Sequence, residues 1–310
     1  LPRLLALVCC CAVGAAGQVA TITVAAAADL RFAMNEIVAA FEAGSREDRV
    51  EVVFGSSGKL QTQIQQGAPY DLFFSADIDF PRRLAEAGFA ASEVKPYGLG
   101  RIVLWSASLD ATRMTLETLA DPAITRIAIA NPQHAPYGKR AEEALRASGL
   151  WEKVAPKLVF GENIAQAAQF VETGNAQVGI LALSLAKSPK LAKQGGFWLV
   201  PASLHAPLAQ REDVLKHGAL LRREPMRASA GFEHVFEMLG AVRVAVQQQQ
   251  RQARGQHEQY NDQCFFLCGE TALGIRQQRG TGERGDGRNG LHRPAMRLEA
   301  QHLGDDHTQH

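Results

Sequence analysis

Small and hydroxyl residues recur in this sequence where an apolar strand gives way to an amphipathic helix. The junctions read AAAADL, FGSSGKL, ANPQHAPYGKRAEEAL and GENIAQAA. A helix N-terminus has unpaired N–H groups and a partial positive charge, so each junction is a candidate anion site. Taken singly, each is more simply explained as helix capping. Because the same chemistry recurs in one chain, we predict that the junctions converge on one anion-binding cleft.

The second and third junctions carry the clearest donors. Ser56, Ser57 and Gly58 can present hydroxyl and backbone N–H groups together. Gly138, beside Tyr137, permits a close approach of the backbone because it has no Cβ. The sequence has no nucleotide-binding GxxxxGK loop, no Gly-x-Ser-x-Gly and no His-Glu-x-x-His motif. These junctions therefore favour binding over hydrolytic or nucleotide chemistry.

Strands and helices alternate along the body of the chain. The predicted helices include LRFAMNEIVAAFEA, SSGKLQTQIQQG, DFPRRLAEAG, YGKRAEEALRASGL and NIAQAAQFVETGN, and the predicted strands TITVAAAA, RVEVVFG, DLFFSAD, GRIVLWSA, TRIAIAN, PKLVFGE, QVGILAL and GFWLVPA. This alternation predicts an α/β fold of mainly parallel sheets flanked by helices. Such sheets bind ligands at the C-terminal ends of their strands, where the junctions lie.

Composition narrows the classes of protein further. The 310 residues are 46% hydrophobic and 21% charged, with a net charge of +1. This balance is ordinary for globular proteins and gives no electrostatic case for binding nucleic acid. Cys9, Cys10 and Cys11 are adjacent and Cys264 and Cys268 are distant, so they form no disulfide framework. The Cys264–Cys268 pair lacks the second pair that a zinc site requires.

Both ends of the chain differ from its body. Residues 1–17 combine Arg3, a short apolar run and small residues, which is typical of an export signal. Residues 247–310 lack helical or strand periodicity, so we interpret them as disordered or translated from a shifted frame. After Lys216 there are 12 arginines and no lysine. The stretch 231–246 has apolar residues at helical spacing, and we expect removal of 247–310 to leave folding and binding intact.

The segments VAAAADL, VFGSSGKLQTQIQQGAPYDLFFSAD, NPQHAPYGKRAEEAL and GENIAQAAQFVETGNAQVGIL resemble the periplasmic molybdate-binding proteins of ABC importers. The resemblance extends over about residues 21–219. It implies a two-lobed periplasmic-binding-protein fold with the ligand cleft between the lobes. The implied lobes are 18–99 with 206–246, and 100–205.

The resemblance also implies a function. The chain would capture molybdate, and tungstate as well, through neutral hydrogen-bond donors at helix N-termini, with no metal ion and no cofactor. It would deliver the oxoanion to the membrane permease of an ABC transporter. We expect a periplasmic monomer that is not an enzyme and does not bind nucleic acid.

Transferred residue by residue, the family's ligand positions fall at Asp29, Ser57, Tyr137 and Ile164. Relatives often have a tyrosine hydroxyl at the position of Ala182, which has none here. Tyr137 stands where many relatives have a small residue, so we expect its hydroxyl to replace the missing donor.

Asp29 departs from the serine that is commoner at its position. Since a carboxylate repels a dianion, we expect Asp29 to offer only its backbone N–H to the ligand. Its carboxylate would turn back to cap the helix at the N–H of Arg31 or Phe32.

Charged residues near the junctions have simpler explanations than ligation. We expect Lys59, Lys139 and Arg140 to be solvated. His134 and His205 are isolated and are interpreted as structural.

The same sequence features are compatible with other functions. Sulfate or phosphate would suit a similar cleft, and a small-acid enzyme could be built on the same fold. Such an enzyme needs a general acid or base in the cleft, for which Asp29 is the one placed candidate. Asp71 and Asp77 could imitate a catalytic pair, but their positions at the strand ends favour capping and loop bracing. The effector half of a transcription regulator would need a DNA-binding segment, and none precedes the fold.

Overall fold

The computed structural model describes residues 20–44 and 48–216, all within one structural unit. The predicted export signal, the stretch 231–246 and the tail 247–310 lie outside these residues. The strands of the described residues are β1 (Ala20–Ala27), β2 (Asp48–Gly55), β3 (Leu72–Ser75), β4 (Lys95–Gly100), β5 (Ile102–Ser106), β6 (Ile127–Ala130), β7 (Leu158–Gly161), β8 (Val178–Ala182), β9 (Gly196–Leu199) and β10 (Leu208–Val214).

Helices follow most of these strands. They are α1 (Arg31–Gly44), α2 (Ser57–Gln65), α3 (Asp79–Glu86), α4 (Pro136–Ala147), α5 (Trp151–Val154), α6 (Ile164–Glu172), α7 (Leu183–Ala186) and α8 (Leu191–Gln194). Short 3₁₀ turns occupy Ala28–Leu30, Ala111–Arg113, Leu116–Ala120, Ala155–Lys157 and Ala202–Leu204.

The strands form two sheets of five. The first has the order β2-β1-β3-β10-β4 and the second β7-β6-β8-β5-β9. We call the first sheet with α1–α3 the first lobe, and the second sheet with α4–α8 the second lobe. The chain passes between them through Arg101 and returns between β9 and β10.

Each sheet contains one reversed strand. Strand β10 pairs antiparallel with both β3 and β4, and β5 pairs antiparallel with both β8 and β9. The other four strands of each sheet therefore run in one direction, and the reversed strand is the one that enters directly from the other lobe. The two-lobed, mainly parallel α/β fold predicted from the sequence is confirmed.

Helices cover both faces of the first sheet, as the apolar pattern of β1 requires. Ile22, Val24 and Ala26 point to one face and pack with α1, whereas Ala25 points to the other and packs with α2 and α3. This alternation follows from the two-residue period of a strand. The second lobe has one continuous core around the fully buried Trp105. Both lobes thus hold their strand ends in fixed positions.

Strands β4 and β10 are not among the strands predicted from local pattern. Strand β4, KPYGLG, contains proline and glycine, which weaken a strand pattern. Strand β10, LAQREDV, buries Gln210, Glu212 and Asp213, and such polar residues rarely mark a buried strand. Strand β10 has a further role, because it brings Gln210 to Asp29, in the 3₁₀ turn that precedes α1.

Candidate functional site

The four residues predicted as ligands line one cleft. Asp29 and Ser57 follow strands of the first lobe, and Tyr137 and Ile164 follow strands of the second. The space between these residues is about 190 Å³, a value that includes open solvent. Its lining consists of Ala27, Ala28, Asp29, Gly55, Ser56, Ser57, Ala76, Ala135, Pro136, Tyr137 and Ile164. The structure therefore brings the four strand-to-helix junctions together.

Parallel pairing explains why the junctions meet. In the first lobe the ends of β1 and β2 lie side by side, with Ala27 opposite Gly55. In the second lobe Ala130 of β6 lies opposite Gly161 of β7. Strands that end in register direct their following helices to the same edge of the sheet. Each lobe thus contributes two neighbouring junctions, and the cleft lies between the pairs.

Gly138 allows the third junction to form. A Cβ at this position would lie 2.0 Å from the carbonyl oxygen of Ala130, which is too close for any other residue. The close backbone approach predicted for Gly138 is confirmed: it seats the start of α4 against the end of β6. Tyr137, next to it, is fixed at the cleft by the same contact.

Ser57 is the first residue of α2 and is completely buried. Its Oγ accepts a hydrogen bond of 3.1 Å from the N–H of Ala76, which follows β3. A hydroxyl that accepts from one side still has its own proton to donate. Ser57 can therefore donate to a ligand in the cleft while Ala76 fixes its orientation.

Ile164 is the first residue of α6, and the residue before it caps the helix. Oδ1 of Asn163 accepts from the N–H groups of Ala165 and Gln166, at 3.0 and 3.1 Å. Capping thus uses the second and third N–H groups of the helix. The Ile164 N–H has no bond to another described residue, so it remains available at the cleft. The sequence signal for this cap was an asparagine directly before an apolar helical run.

Asp29 does not cap α1, so that prediction is wrong. The residue lies within the 3₁₀ turn Ala28–Leu30 that precedes the helix, and no side chain caps this turn. Its Oδ2 instead accepts hydrogen bonds from the Tyr137 hydroxyl at 3.1 Å and from Nε2 of Gln210 at 2.6 Å. Both donors come from residues that are distant in the sequence. Local capping rules consider only neighbouring residues, so they do not predict these bonds.

Burial makes Asp29 an unusually weak acid. The side chain is 2% exposed, and the loss of solvation raises its pKa from 3.8 to about 7. The hydrogen bonds from Tyr137 and Gln210 oppose this rise because they stabilise the charged form. Its Oδ1 is buried and has no hydrogen-bond partner among the described residues. Asp29 is therefore poised to exchange a proton near neutral pH.

Tyr137 is committed to Asp29, contrary to the expectation of a free hydroxyl. Its hydroxyl donates to Oδ2 of Asp29 and accepts from Nε2 of Gln210 at 3.2 Å. Burial, together with the nearby charge of Asp29, raises the pKa of Tyr137 well above its usual value. Ser184 donates to the Asp29 carbonyl oxygen at 2.9 Å. Gln210 and Ser184 were missed because no local motif marks them.

His134 connects the second junction with the third. Its carbonyl oxygen accepts from the N–H of Gly58 at 3.0 Å, and its Nδ1 lies 2.8 Å from Oγ of Ser56 in a hydrogen bond. The Ser56 hydroxyl and the Gly58 N–H, predicted as ligand donors, therefore take part in contact between the lobes. The Ser57 hydroxyl keeps its proton for the cleft.

Ion pairs also join the lobes. Arg140 of α4 bonds Oδ2 of Asp77 at 2.6 Å, and both side chains are more than nine-tenths buried. Lys59 pairs with Glu162 across the more exposed rim. With these contacts formed, the lobes are closed on each other.

The remaining charged residues near the junctions have different surroundings. Lys139 is exposed, as expected, but the expectation that Arg140 is solvated is wrong because Asp77 lies within its reach. Asp71 accepts from the Thr23 N–H at 2.8 Å, and Oδ1 of Asp77 accepts from the Asp79 N–H at 3.0 Å. These two acids brace loops, as the sequence indicated.

Residues 20–44 and 48–216 show neither a membrane-spanning helix nor a metal cluster. No helix in these ranges is long and apolar enough to cross a membrane. They also contain no group of three or more His, Cys, Asp or Glu side chains placed to hold a metal ion.

Comparisons with known proteins place the chain in one family. Residues 22–224 match the family model described as bacterial extracellular solute-binding protein. The molybdate-binding protein ModA of Azotobacter vinelandii is 39% identical over 204 residues, which is 66% of this chain and 81% of the relative. ModA of Rhodobacter capsulatus is 39% identical over 206 residues, 60% of this chain and 79% of the relative. The solved structure of the Azotobacter vinelandii periplasmic molybdate-binding protein superposes with a TM-score of 0.64 at 29% identity, covering 73% of this chain and 97% of that one.

Proposed function

Because the chain belongs to the family of bacterial extracellular solute-binding proteins and resembles its molybdate-binding members, we propose that it captures molybdate for import. The observation that carries the proposal is the convergence of four strand-to-helix junctions on one cleft between the lobes. Helix starts from both sheets direct positive dipole ends and N–H donors at this point. A small, compact anion is the ligand that such a cleft suits.

The ligand would be held by hydrogen bonds alone. None of the residues that line the cleft is a lysine or an arginine. The donors available to it are the hydroxyl of Ser57 and the N–H of Ile164. Asp29 and Tyr137 also line the cleft, with the Tyr137 hydroxyl donating to Asp29. Neutral donors of fixed direction select the shape and size of an anion more than its charge. Tungstate, a tetrahedral dianion of nearly the same size, is expected to bind as well.

Closure of the lobes supplies the step that follows recognition. Contacts from Gly58 to His134 and from Arg140 to Asp77 require the two lobes to be together. We expect the closed, loaded protein to be the form that a membrane permease of an ABC transporter receives. A periplasmic monomer without a cofactor satisfies this role.

Calorimetric titration of the purified protein with molybdate, tungstate, sulfate and phosphate tests the proposal. We expect tight one-to-one binding of molybdate and tungstate, and much weaker binding of sulfate and phosphate. Thermal stabilisation should follow the same order, reaching about 4 kcal/mol at a thousandfold excess of ligand over Kd. Equal or tighter binding of sulfate or phosphate would assign the cleft to another oxoanion.

A further inference from the structure

The two carboxylate oxygens of Asp29 have different surroundings. Oδ2 accepts hydrogen bonds from the Tyr137 hydroxyl and the Gln210 amide. Oδ1 has no hydrogen-bond partner among the described residues and is excluded from solvent. Asp29 itself lines the cleft. Because Oδ2 already accepts two hydrogen bonds, the protonated form of Asp29 carries its proton on Oδ1.

Among the described residues, the groups that adjoin Asp29 include no cation that balances its negative charge. From α4 comes the neutral hydroxyl of Tyr137, and from β10 come Gln210 and, two residues further, the acid Glu212. From β4 comes Tyr97, whose pKa is raised by burial first and then by the charges of Asp29 and Glu212.

The remaining neighbours do not change this balance. At the start of α1, Arg31 is exposed. On α6, Glu172 pairs with Lys190, and α7 consists of Leu183–Ala186 without a titratable side chain. Arg140 of α4 is held by Asp77 and Glu143. An ionised Asp29 beside a bound dianion would therefore face repulsion that no cationic side chain among these neighbours offsets.

We propose that Asp29 holds the oxoanion as a neutral carboxylic acid, donating from Oδ1, so that capture of the dianion takes up one proton from solvent. The proposal deepens the oxoanion-binding function above and rests on it. Gln210 and Tyr137 act as positioning residues, because their bonds to Oδ2 direct the proton to Oδ1. The raised pKa of Asp29, about 7, places this exchange in the physiological range.

Titration of the wild-type protein with molybdate in buffers of different ionisation enthalpy measures the proton uptake directly. We expect uptake of nearly one proton at about pH 8.5, about half a proton near pH 7, and almost none near pH 5.5, by proton linkage. Over the same range Kd should be constant in acid and rise about tenfold per pH unit above neutrality.

Asp29→Asn identifies the group responsible. The carboxamide can donate from its nitrogen to the anion and accept through its oxygen from Gln210, but it does not titrate. We expect this variant to bind molybdate with a Kd that does not change between about pH 6 and 9, and without proton uptake. Asp213→Asn is the matched control, because Asp213 is a second buried acid with a pKa raised to about 8 but does not line the cleft.

The outcomes separate the two proposals. Binding of molybdate with proton uptake that Asp29→Asn removes and Asp213→Asn retains supports the inference. Tight binding by the wild type without proton uptake at any pH overturns the inference and leaves oxoanion capture intact. Uptake that persists in Asp29→Asn assigns the proton to another group and also overturns it. If none of the four oxoanions binds, the proposed function is overturned, and the inference with it.

Discussion

Gln210 and Asp29, which are 181 residues apart in the sequence, are joined by a hydrogen bond of 2.6 Å between Nε2 and Oδ2. Gln210 lies on β10, the strand that enters the first lobe from the second, and Asp29 lies in the turn after β1. The bond therefore ties the returning strand to the first junction of the cleft. Several consequences of this arrangement can be measured.

Gln210→Leu should raise the pKa of Asp29 and lower the free energy of unfolding. The substitution removes a buried donor from Oδ2 and leaves the charged form less stabilised, a loss of about 1–3 kcal/mol. Denaturant unfolding at about pH 8, where Asp29 is ionised in the folded protein, measures the stability change. Gln133→Leu, at an exposed position, is the control and should be close to neutral. Equal effects of the two variants would show that the Gln210 bond has no energetic role.

Ser57→Ala should weaken molybdate binding by about 1.5–3 kcal/mol, the range for a hydrogen bond to a charged partner. The Ser57 hydroxyl is buried at the cleft, so no water replaces it. Calorimetry on the variant gives the change in Kd. Lys139→Ala, on the exposed side of α4, should change affinity far less. A larger loss from Lys139→Ala than from Ser57→Ala would contradict binding by neutral donors.

Gly58→Ala should weaken ligand binding more than it destabilises the protein. A Cβ at this position would lie 2.7 Å from the carbonyl oxygen of His134 in the other lobe, so it obstructs closure. In the helix itself alanine is better than glycine by about 0.5–1 kcal/mol, which offsets part of the cost of this short contact.

Molybdate Kd and thermal unfolding of the empty protein, measured together, test this separation. Gly44→Ala is the control, since a Cβ there meets nothing within 4 Å. Unchanged affinity in Gly58→Ala would mean that the contact between Gly58 and His134 is not needed in the bound state.

The buried pair of Arg140 and Asp77 should couple strongly. Removing one partner leaves the other charge buried, which typically destabilises by about 3–5 kcal/mol. A double-mutant cycle with Arg140→Met and Asp77→Asn measures this coupling. Asparagine is chosen at position 77 because its Oδ1 can still accept from the Asp79 N–H. The control cycle uses the more exposed pair of Arg146 and Glu142, for which about 0–1 kcal/mol is expected. Similar coupling in the two cycles would contradict a structural role for the buried pair.

Stability should fall as pH rises through the titration range of Asp29. Its pKa is 3.8 in an unfolded chain and about 7 when folded, so between these values the folded state alone keeps the proton. The stabilisation is complete below about pH 4 and decreases by up to about 1.4 kcal/mol per pH unit until neutrality.

Comparison with Asp29→Asn isolates this contribution. His134 and His205, whose pKa values burial lowers, affect stability in the opposite direction at low pH. Urea unfolding of both proteins at about pH 5 and 8 should show a steeper decline in the wild type. Parallel curves would mean that Asp29 is not a titrating group of the folded state.

Local pattern predicted the α/β class and the convergence of the strand-to-helix junctions, and parallel pairing brings those junctions together. The two lobes and the ligand positions Asp29, Ser57, Tyr137 and Ile164 came from the resemblance to molybdate-binding proteins. The hydrogen bonds within the site could not be predicted in this way. Gln210 reaches Asp29 through tertiary packing, and this contact overrides the local capping role expected for an aspartate.

A crystal structure of the protein with molybdate, with the metal located by anomalous scattering, would show which groups hold the anion. We expect one molybdate in the cleft between the lobes, with its oxygens about 2.7–3.2 Å from Oγ of Ser57, the Ile164 N–H and Oδ1 of Asp29. An empty cleft with the anion bound elsewhere, or an anion held mainly by lysine or arginine side chains, would contradict this expectation.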